Sequence, residues 1–560
     1  MIHAQAESSV RIERSHRYDV AILGTGMAGS MLGAVLAKHG AKVLLIDNAS
    51  HPRFAVGEST VPLTSRMMVT IANRYGIPEV KHLATFKGIH THVTTACGVK
   101  RNFGFVLHHM DGTQHADETT QVVIPGALAD HETHLFRQDV DAYMLHVAVK
   151  YGAKVRQQLS VTDVDITDKG VALRTATGEE FSASYLVDGG GFRSPLAQKF
   201  DLRENPSRLK HHARSIFTHM IDVKRYDDCI RPKGAHGNPS PWAEGTLHHM
   251  FEGGWIWVIP FDNHKDATNP LCSVGVTYDY RKYPKNDRTA EEEFFWFVNK
   301  FPTVRDQFRS ARATREWVGT DRLQFSTRRV VGDRYCLMAH AAGFIDPLFS
   351  RGLANTSDVV NALAHRLLTA IREDDFSTER FEYLDRLQQN LLDYNDQLVN
   401  CAYIAFSHFN LWNAWFRVWA LGQGLGELRV LWENLKFDET GDASIFDRME
   451  EVPYPGLLFP IMEDYKTIWD EGARRIEAVG EGRLDAEEAA QQIWALLAKY
   501  FSDPMFMGAH QPSRRHISVD PVAGIKGLGS LLFQPKTEFK TFLTTGLGLM
   551  SRRWVSGRRL

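Results

Sequence analysis

Residues 18–48 read YDVAILGTGMAGSMLGAVLAKHGAKVLLIDN, and this stretch decides the fold. An apolar strand runs into a glycine turn, a helical run follows, and a second apolar strand ends on Asp47. Gly24 permits the tight turn, Gly26 lets backbone approach a pyrophosphate past Ala28, and Gly29 allows close helix packing. The helix begins where the turn ends, so its unpaired amides face an anion. Asp47 is placed to accept from a ribose hydroxyl, which completes a dinucleotide-binding βαβ unit of the GxGxxG type. The unit by itself does not separate NAD from FAD.

The neighbouring segments favour FAD. HPRFAVGESTVP follows the second strand with a compact turn of Gly57, Glu58, Ser59 and Thr60, the kind of loop flavoproteins set beside the ring. FRQDVDAYMLHVAVKYGAKV reads as a helix and a strand, with Arg137 near its start. FSASYLVDGGGFRSPLAQKF places a strand before Asp188 and three glycines, a second loop for close approach to a nucleotide. DRYCLMAHAAGFIDPLFSRGLANTSDVVNALAHRLL runs from a strand through Asp346 and Pro347 into a long amphipathic helix. The N-terminus of that helix is expected to face the flavin.

Within residues 253–261, GGWIWVIPF, strand alternation puts Trp255 and Trp257 on one face and Ile256 and Val258 on the other. The strand therefore builds an aromatic wall, read either as core packing or as part of a site.

Composition sets the bounds. The chain has 560 residues, 43% hydrophobic and 24% charged, with a net charge of -2, as in an ordinary folded enzyme. No basic block points to nucleic acid. The five cysteines, Cys97, Cys229, Cys272, Cys336 and Cys401, have neither CxxC nor zinc-like spacing and read as reduced thiols, so no metal site and a cytoplasmic location are expected. No apolar run of about 18 residues predicts a transmembrane span.

The order GTGMAG, VGEST, Arg137, DGGGFRS, WIWVIP and DPLFSRG over residues 18–365 resembles the flavin-dependent halogenases, within the group-A flavin monooxygenase superfamily. WxWxIP is the signature of that family. The resemblance implies an α/β FAD-binding fold in which the loops around Gly24, Glu58, Arg137, Asp188 and Asp346 hold the cofactor. It implies that FADH2 and O2 oxidise chloride or bromide to hypohalous acid, which passes through a tunnel to a lysine. That lysine is matched to Lys87 of ATFKGIHTHV, with Lys81 as the nearest competitor. Trp255 and Trp257, with Ile259 and Pro260, would keep organic substrate from the flavin, and Pro347, Ser350, Gly352 and Leu353 would form the loop for halide and flavin ring. A lysine suits the task because its ammonium donates to hypohalous acid, while its neutral amine forms a haloamine when burial lowers the pKa.

Two departures refine the resemblance. The tryptophan-modifying branch carries a glutamate after the PL pair, where this chain has Phe349, so the implied substrate is a phenol or pyrrole, free or bound to a carrier protein. Related flavin enzymes place Gly-Asp where this chain has Ala339 and His340, which removes the usual ribityl contact and makes a packed core histidine the expectation for His340. A single GxGxxG fits a two-component system in which a separate NAD(P)H-dependent reductase supplies FADH2.

The expected organisation is a tail over residues 1–17, an FAD-binding domain over 18–375 with an interleaved β-rich substrate sheet at about 80–130 and 205–320, a helical region over 376–535 and a basic amphipathic tail over 536–560. Trp412, Trp415 and Trp419 fall at helical spacing and read as a packed face. Arg552, Arg553, Arg558 and Arg559 leave the last segment open between docking on an acidic partner and a solvated tail. Two rival functions remain: a flavin hydroxylase or epoxidase, and a flavin-binding protein without turnover.

Overall fold

The computed structural model describes residues 17–123, 131–501, 508–518 and 538–555. The expected N-terminal tail therefore lies almost wholly outside the described residues, as do Arg558 and Arg559.

The strand Arg17–Leu23 lies between Val43–Ile46 and Glu180–Asp188, and Lys154–Arg156 and Tyr335–Leu337 extend the same parallel sheet on either side. Both faces of this sheet are covered, so its inner strands read as unbroken apolar runs rather than alternating ones. Val20 to Leu23 and Val43 to Ile46 are all buried. The helix Met27–Lys38 packs so closely that a Cβ on Gly29 would stand 2.0 Å from the Gly24 carbonyl oxygen, and one on Gly33 3.1 Å from Leu45.

A second sheet of nine strands carries Gly254–Pro260 between Thr246–Phe251 and Cys272–Asp279, with Asn102–Leu107 and Thr119–Val123 beyond. The alternation expected from the sequence is present. Trp255, Trp257 and Ile259 join the core shared with the C-terminal helices, whereas Ile256 and Val258 pack with Phe297 and Tyr278 on the other face. The short strand His516–Ile517 adds to the edge of this sheet beside Thr119–Val123, so the C-terminal part of the chain contributes a strand as well as helices. A separate two-stranded ribbon pairs Gly98–Lys100 with Glu132–His134.

The helices Glu382–Ala405, Phe409–Thr440, Glu463–Gly480 and Ala486–Phe501 cover the aromatic face of the second sheet. Trp412, Trp415 and Trp419 are all buried and divide the work: Trp415 packs on Trp469 at 5.3 Å between ring centres, while Trp412 and Trp419 face Phe349 at 6.2 and 5.1 Å. The basic tail is docked. Its helix Glu538–Val555 lays Phe542 against Phe459 and Trp432, and Arg552 pairs with Glu439 of the Phe409–Thr440 helix at 3.3 Å. Among the described residues no helix is long and apolar enough to cross a membrane.

Candidate active site

A cavity of about 470 Å³ opens between the two sheets. The glycine turn forms one wall. Gly24 adopts φ +96°, and a Cβ there would lie 2.8 Å from the Gly189 carbonyl oxygen, so only glycine brings these two loops together. At Gly26 a Cβ would meet nothing within 4 Å, which leaves the turn open to the cavity. Gly26 also caps the Met27–Lys38 helix without a side-chain bond, so the first amides are free for an anion. Arg53 and Arg137 line the same wall. A cradle of glycines, unpaired amides and two cations matches the pyrophosphate of FAD.

Of the acidic residues expected to hold FAD, Glu58 and Asp346 line the cavity, whereas Asp47 and Asp188 do not. The Asp47 carboxylate accepts from Thr25 N at 2.7 Å and Oγ1 at 2.8 Å, from Ala49 N at 2.9 Å, and from both Arg53 amino groups at 2.6 and 2.9 Å. Burial opposes its charge, yet the Arg53 bonds and these amides hold Asp47 below the usual carboxylate range. Arg53, rather than Asp47, reaches the cavity. Asp188 likewise faces inward, accepting from Gly190 N, Ser194 Oγ and Leu196 N at 2.8, 2.6 and 3.1 Å. It shapes the loop, and Gly189 is the member of DGGG on the cavity wall. Arg137 is braced by Asp141 at 2.7 and 2.9 Å and donates to the carbonyls of Val56 and Gly57. Glu58, buried, faces His219 Nε2 at 3.2 Å.

The opposite wall is aromatic. Trp255 and Trp257 line the cavity with ring centres 5.6 Å apart, and Ile259 follows on the same face. Pro260 does not line it; its carbonyl receives His134 Nδ1 at 2.8 Å. Pro347, Ser350, Gly352 and Leu353 all border the cavity at the start of the Gly352–Glu373 helix, with Ser350 at φ +52°. Asp346 accepts from Tyr403 OH at 2.7 Å and from the Leu348 amide at 2.9 Å, with His211 Nε2 at 3.3 Å. His340 is an exposed group on the cavity wall, edge-on to Phe344 at 4.9 Å, and so is not the packed core histidine expected.

The lysines stand in different settings. Lys87 sits exposed on the short helix Phe86–His92 and does not line the cavity; Lys81 is exposed too. Lys100 is wholly buried at the end of the Gly98–Lys100 strand. Its Nζ donates to Ser59 Oγ at 2.8 Å and to the Thr60 carbonyl at 2.5 Å, and lies 4.2 Å from the centre of the Phe103 ring. Ser59 is on the cavity wall and also bonds Ser350 Oγ at 3.0 Å and Thr246 Oγ1 at 2.7 Å. A layer of hydroxyls thus separates the cavity from Lys100. Behind it, Phe103 is edge-on to His248 at 4.6 Å and faces Trp419 at 5.3 Å. Burial draws the Lys100 ammonium well down from its ordinary pKa, against the charge of Glu132.

The fold also gathers His109, His115 and Glu118, whose ligand atoms lie within 4.8 Å of one another, although no metal spacing was legible in the sequence. They stand at the turn between Asn102–Leu107 and Thr119–Val123, off the cavity.

Sheet, glycine cradle and facing aromatic wall define an FAD-binding enzyme of the monooxygenase type, and residues 17–273 match the FAD binding domain family. The chain is 50% identical over 496 residues to the tetracycline 7-halogenase of Kitasatospora aureofaciens, covering 87% of this chain and 89% of that protein. It is 51% identical over 494 residues to the monodechloroaminopyrrolnitrin halogenase PrnC of Pseudomonas fluorescens, covering 88% and 87%. The crystal structure of halogenase PltM with phloroglucinol and FAD superposes with a TM-score of 0.86 at 36% identity, over 89% of this chain and 99% of that one. The chain belongs to the flavin-dependent halogenases. It is an FAD-dependent oxidoreductase whose co-substrate is a halide.

Proposed function

We propose that hypohalous acid formed in the cavity travels through a tunnel to Lys87, which presents an electrophilic halogen to an electron-rich aromatic ring. The observation that carries this reading is the pair Trp255 and Trp257 on the cavity wall, ring centres 5.6 Å apart, opposite the glycine cradle. Bound reduced FAD together with O2 would supply the oxidising power for halide, and the chain's own groups do the rest. The Trp255–Trp257 wall bars a ring-sized substrate from the cofactor. The start of the Gly352–Glu373 helix favours an anion beside it. Phe103, His248, Phe349, Trp412 and Trp419 supply stacking faces for a flat substrate.

Phenols and pyrroles are the first substrates to test. The chlorinase acting on 1H-pyrrole-2-carbonyl-[peptidyl-carrier protein] in Pseudomonas fluorescens is 26% identical over 385 residues, which keeps a carrier-bound ring among the choices. A separate NAD(P)H-dependent flavin reductase is the proposed source of FADH2, and the five buried free thiols support a reducing, cytoplasmic setting. Mass spectrometry of mixtures containing FAD, a reductase, NADH, oxygen, bromide and a panel of phenols and pyrroles tests the reading. Products with the bromine isotope doublet are expected; oxygenated products without bromine would replace the reading with that of a hydroxylase or epoxidase.

A further inference from the structure

The charged and titratable side chains of the cavity wall are bonded to protein, with one exception among the described residues. Arg53 is held by Asp47 and Arg137 by Asp141, Glu58 faces His219, Arg351 donates to Asn395, Asp346 accepts from Tyr403, and His248 donates to the Gly104 carbonyl. The His340 ring, on the same wall, has no hydrogen-bond partner among the described residues. The turn that presents it is strained. Ala339 adopts φ +53°, a left-handed conformation that alanine seldom takes. Gln388 holds it there, accepting from the Ala339 amide and donating to the Leu337 carbonyl, each at 2.9 Å. Arg203 braces the turn further by donating to the Ala341 carbonyl at 2.8 Å. Strain that is maintained by such bonds marks a side chain whose direction matters. Here it opens an imidazole to the cavity, with Nε2 3.6 Å from where a Cβ on Gly352 would stand, at the start of the Gly352–Glu373 helix.

We infer that His340 is a cofactor-positioning residue that couples FAD binding to the uptake of a proton, its ring meeting the anionic dinucleotide as an imidazolium. The protein's own groups oppose that proton. The ring opens to the cavity but is otherwise enclosed, and burial, then the Arg137 charge, hold His340 down to about 4. The positive end of the Gly352–Glu373 helix acts in the same sense. The diphosphate of FAD brings negative charge into this cavity, and an anion favours the charged form of an imidazole. Displacing water from the ring works against it, but burial already dominates the pKa of His340, so the new charge outweighs that loss. The other charged groups on the elements packed around the ring keep their own partners. Arg137 and Asp141 pair on the Arg137–Lys150 helix, Arg53 and Asp47 pair behind the glycine cradle, Arg203 is spent on the carbonyls of Gly191, Phe192 and Ala341, and Asp188 accepts from Ser194. Gln388 and Phe344, beside the turn, carry no charge. Two further histidines near the cradle are engaged: His51 Nε2 donates to the Thr25 carbonyl at 2.9 Å, and His219 faces Glu58.

The complex binds one proton more than its separated parts, so affinity for FAD rises as pH falls. For the full-length chain freed of flavin, the Kd of FAD followed by flavin fluorescence is expected to fall about tenfold between pH 8 and pH 6 at constant ionic strength. Calorimetry in two buffers of different ionisation enthalpy should register the proton taken up. His340→Asn keeps a hydrogen-bonding side chain without a titrating one, and its Kd is expected to change by less than about twofold over the same range. His340→Lys, charged throughout, is expected to bind at pH 8 at least as tightly as the wild type and with little dependence on pH. Thermal melts establish that both variants are folded. A Kd for His340→Asn that follows the wild-type dependence, or a wild-type Kd independent of pH with no proton uptake, would overturn the inference. Loss of FAD by both variants at every pH, with melts unchanged, would make the shape of the ring rather than its charge decisive and would overturn it as well.

Discussion

The two walls of the cavity are built in opposite ways. The flavin wall is backbone and empty space: Gly24 and Gly189 in contact, Gly26 open, and a helix start without a side-chain cap. The facing wall is side chain throughout, with Trp255, Trp257, Ile259 and Phe349 drawn from two segments and buttressed by helices still further along the chain. The backbone contacts at Gly24 and Gly29 tolerate no added atom, whereas a wall of side chains loses stability and selectivity in steps. Binding of the cofactor and choice of product should therefore fail separately.

The largest effect is expected at Gly29. A valine there would put atoms within 2.0 Å of the Gly24 carbonyl and force the turn apart, so Gly29→Val should purify without FAD or fail to fold. Flavin absorbance of the purified protein reads this directly, and normal flavin content would show that the turn is not the cradle.

On the aromatic wall, Trp257→Ala should cost about 3–5 kcal/mol in unfolding free energy while FAD still binds. It should also let organic substrate reach the cofactor, so that oxygenated product appears beside the halogenated one. Unfolding in urea and product mass spectrometry test the two halves, and loss of FAD binding at unchanged stability would invert the comparison.

Acid should weaken the side-chain wall first. His134, His248 and His249 are buried in and beside the second sheet, and burial pulls each down to about 3. The folded state thus binds fewer protons than the unfolded chain between about 3 and the ordinary histidine value near 6.5, so stability is intact above about 6.5 and falls as pH drops through that window. Each histidine contributes a slope of about 1.4 kcal/mol per pH unit. Thermal melts at pH 7, 6 and 5 should show the decline, and His249→Gln, which keeps a polar group opposite Gln307, should flatten it. A flat profile in the wild type would contradict the assignment of these rings as buried and neutral.

The smallest effect on stability is expected at Lys87. Exposed on its helix, Lys87→Ala should change unfolding free energy in urea by less than about 0.5 kcal/mol while brominated product is lost.

The same contrast governs how much was legible in the sequence. The glycine turns, the VGEST loop and the alternation of Trp255 and Trp257 are local, because a backbone conformation or a strand face is set by residues close together in the chain. The acidic residues were legible as positions but not as roles: Asp47 and Asp188 end their strands as expected, yet their carboxylates turn to Thr25 and Arg53 and to Ser194. The burial of Lys100 was not legible because it depends on pairing with Glu132 from 32 residues later and on Ser59 from 41 residues earlier, and neither contact leaves a spacing motif. The short strand His516–Ile517 and the docking of Phe542 and Arg552 were hidden for the same reason.

The most direct test of the central claim is to compare Lys87→Ala with the wild type, measuring brominated product and flavin oxidation in one reaction. The account predicts that Lys87→Ala oxidises flavin normally while bromination falls at least about a hundredfold, the scale on which a positioned acid–base group acts. Bromination by Lys87→Ala at the wild-type rate would contradict it.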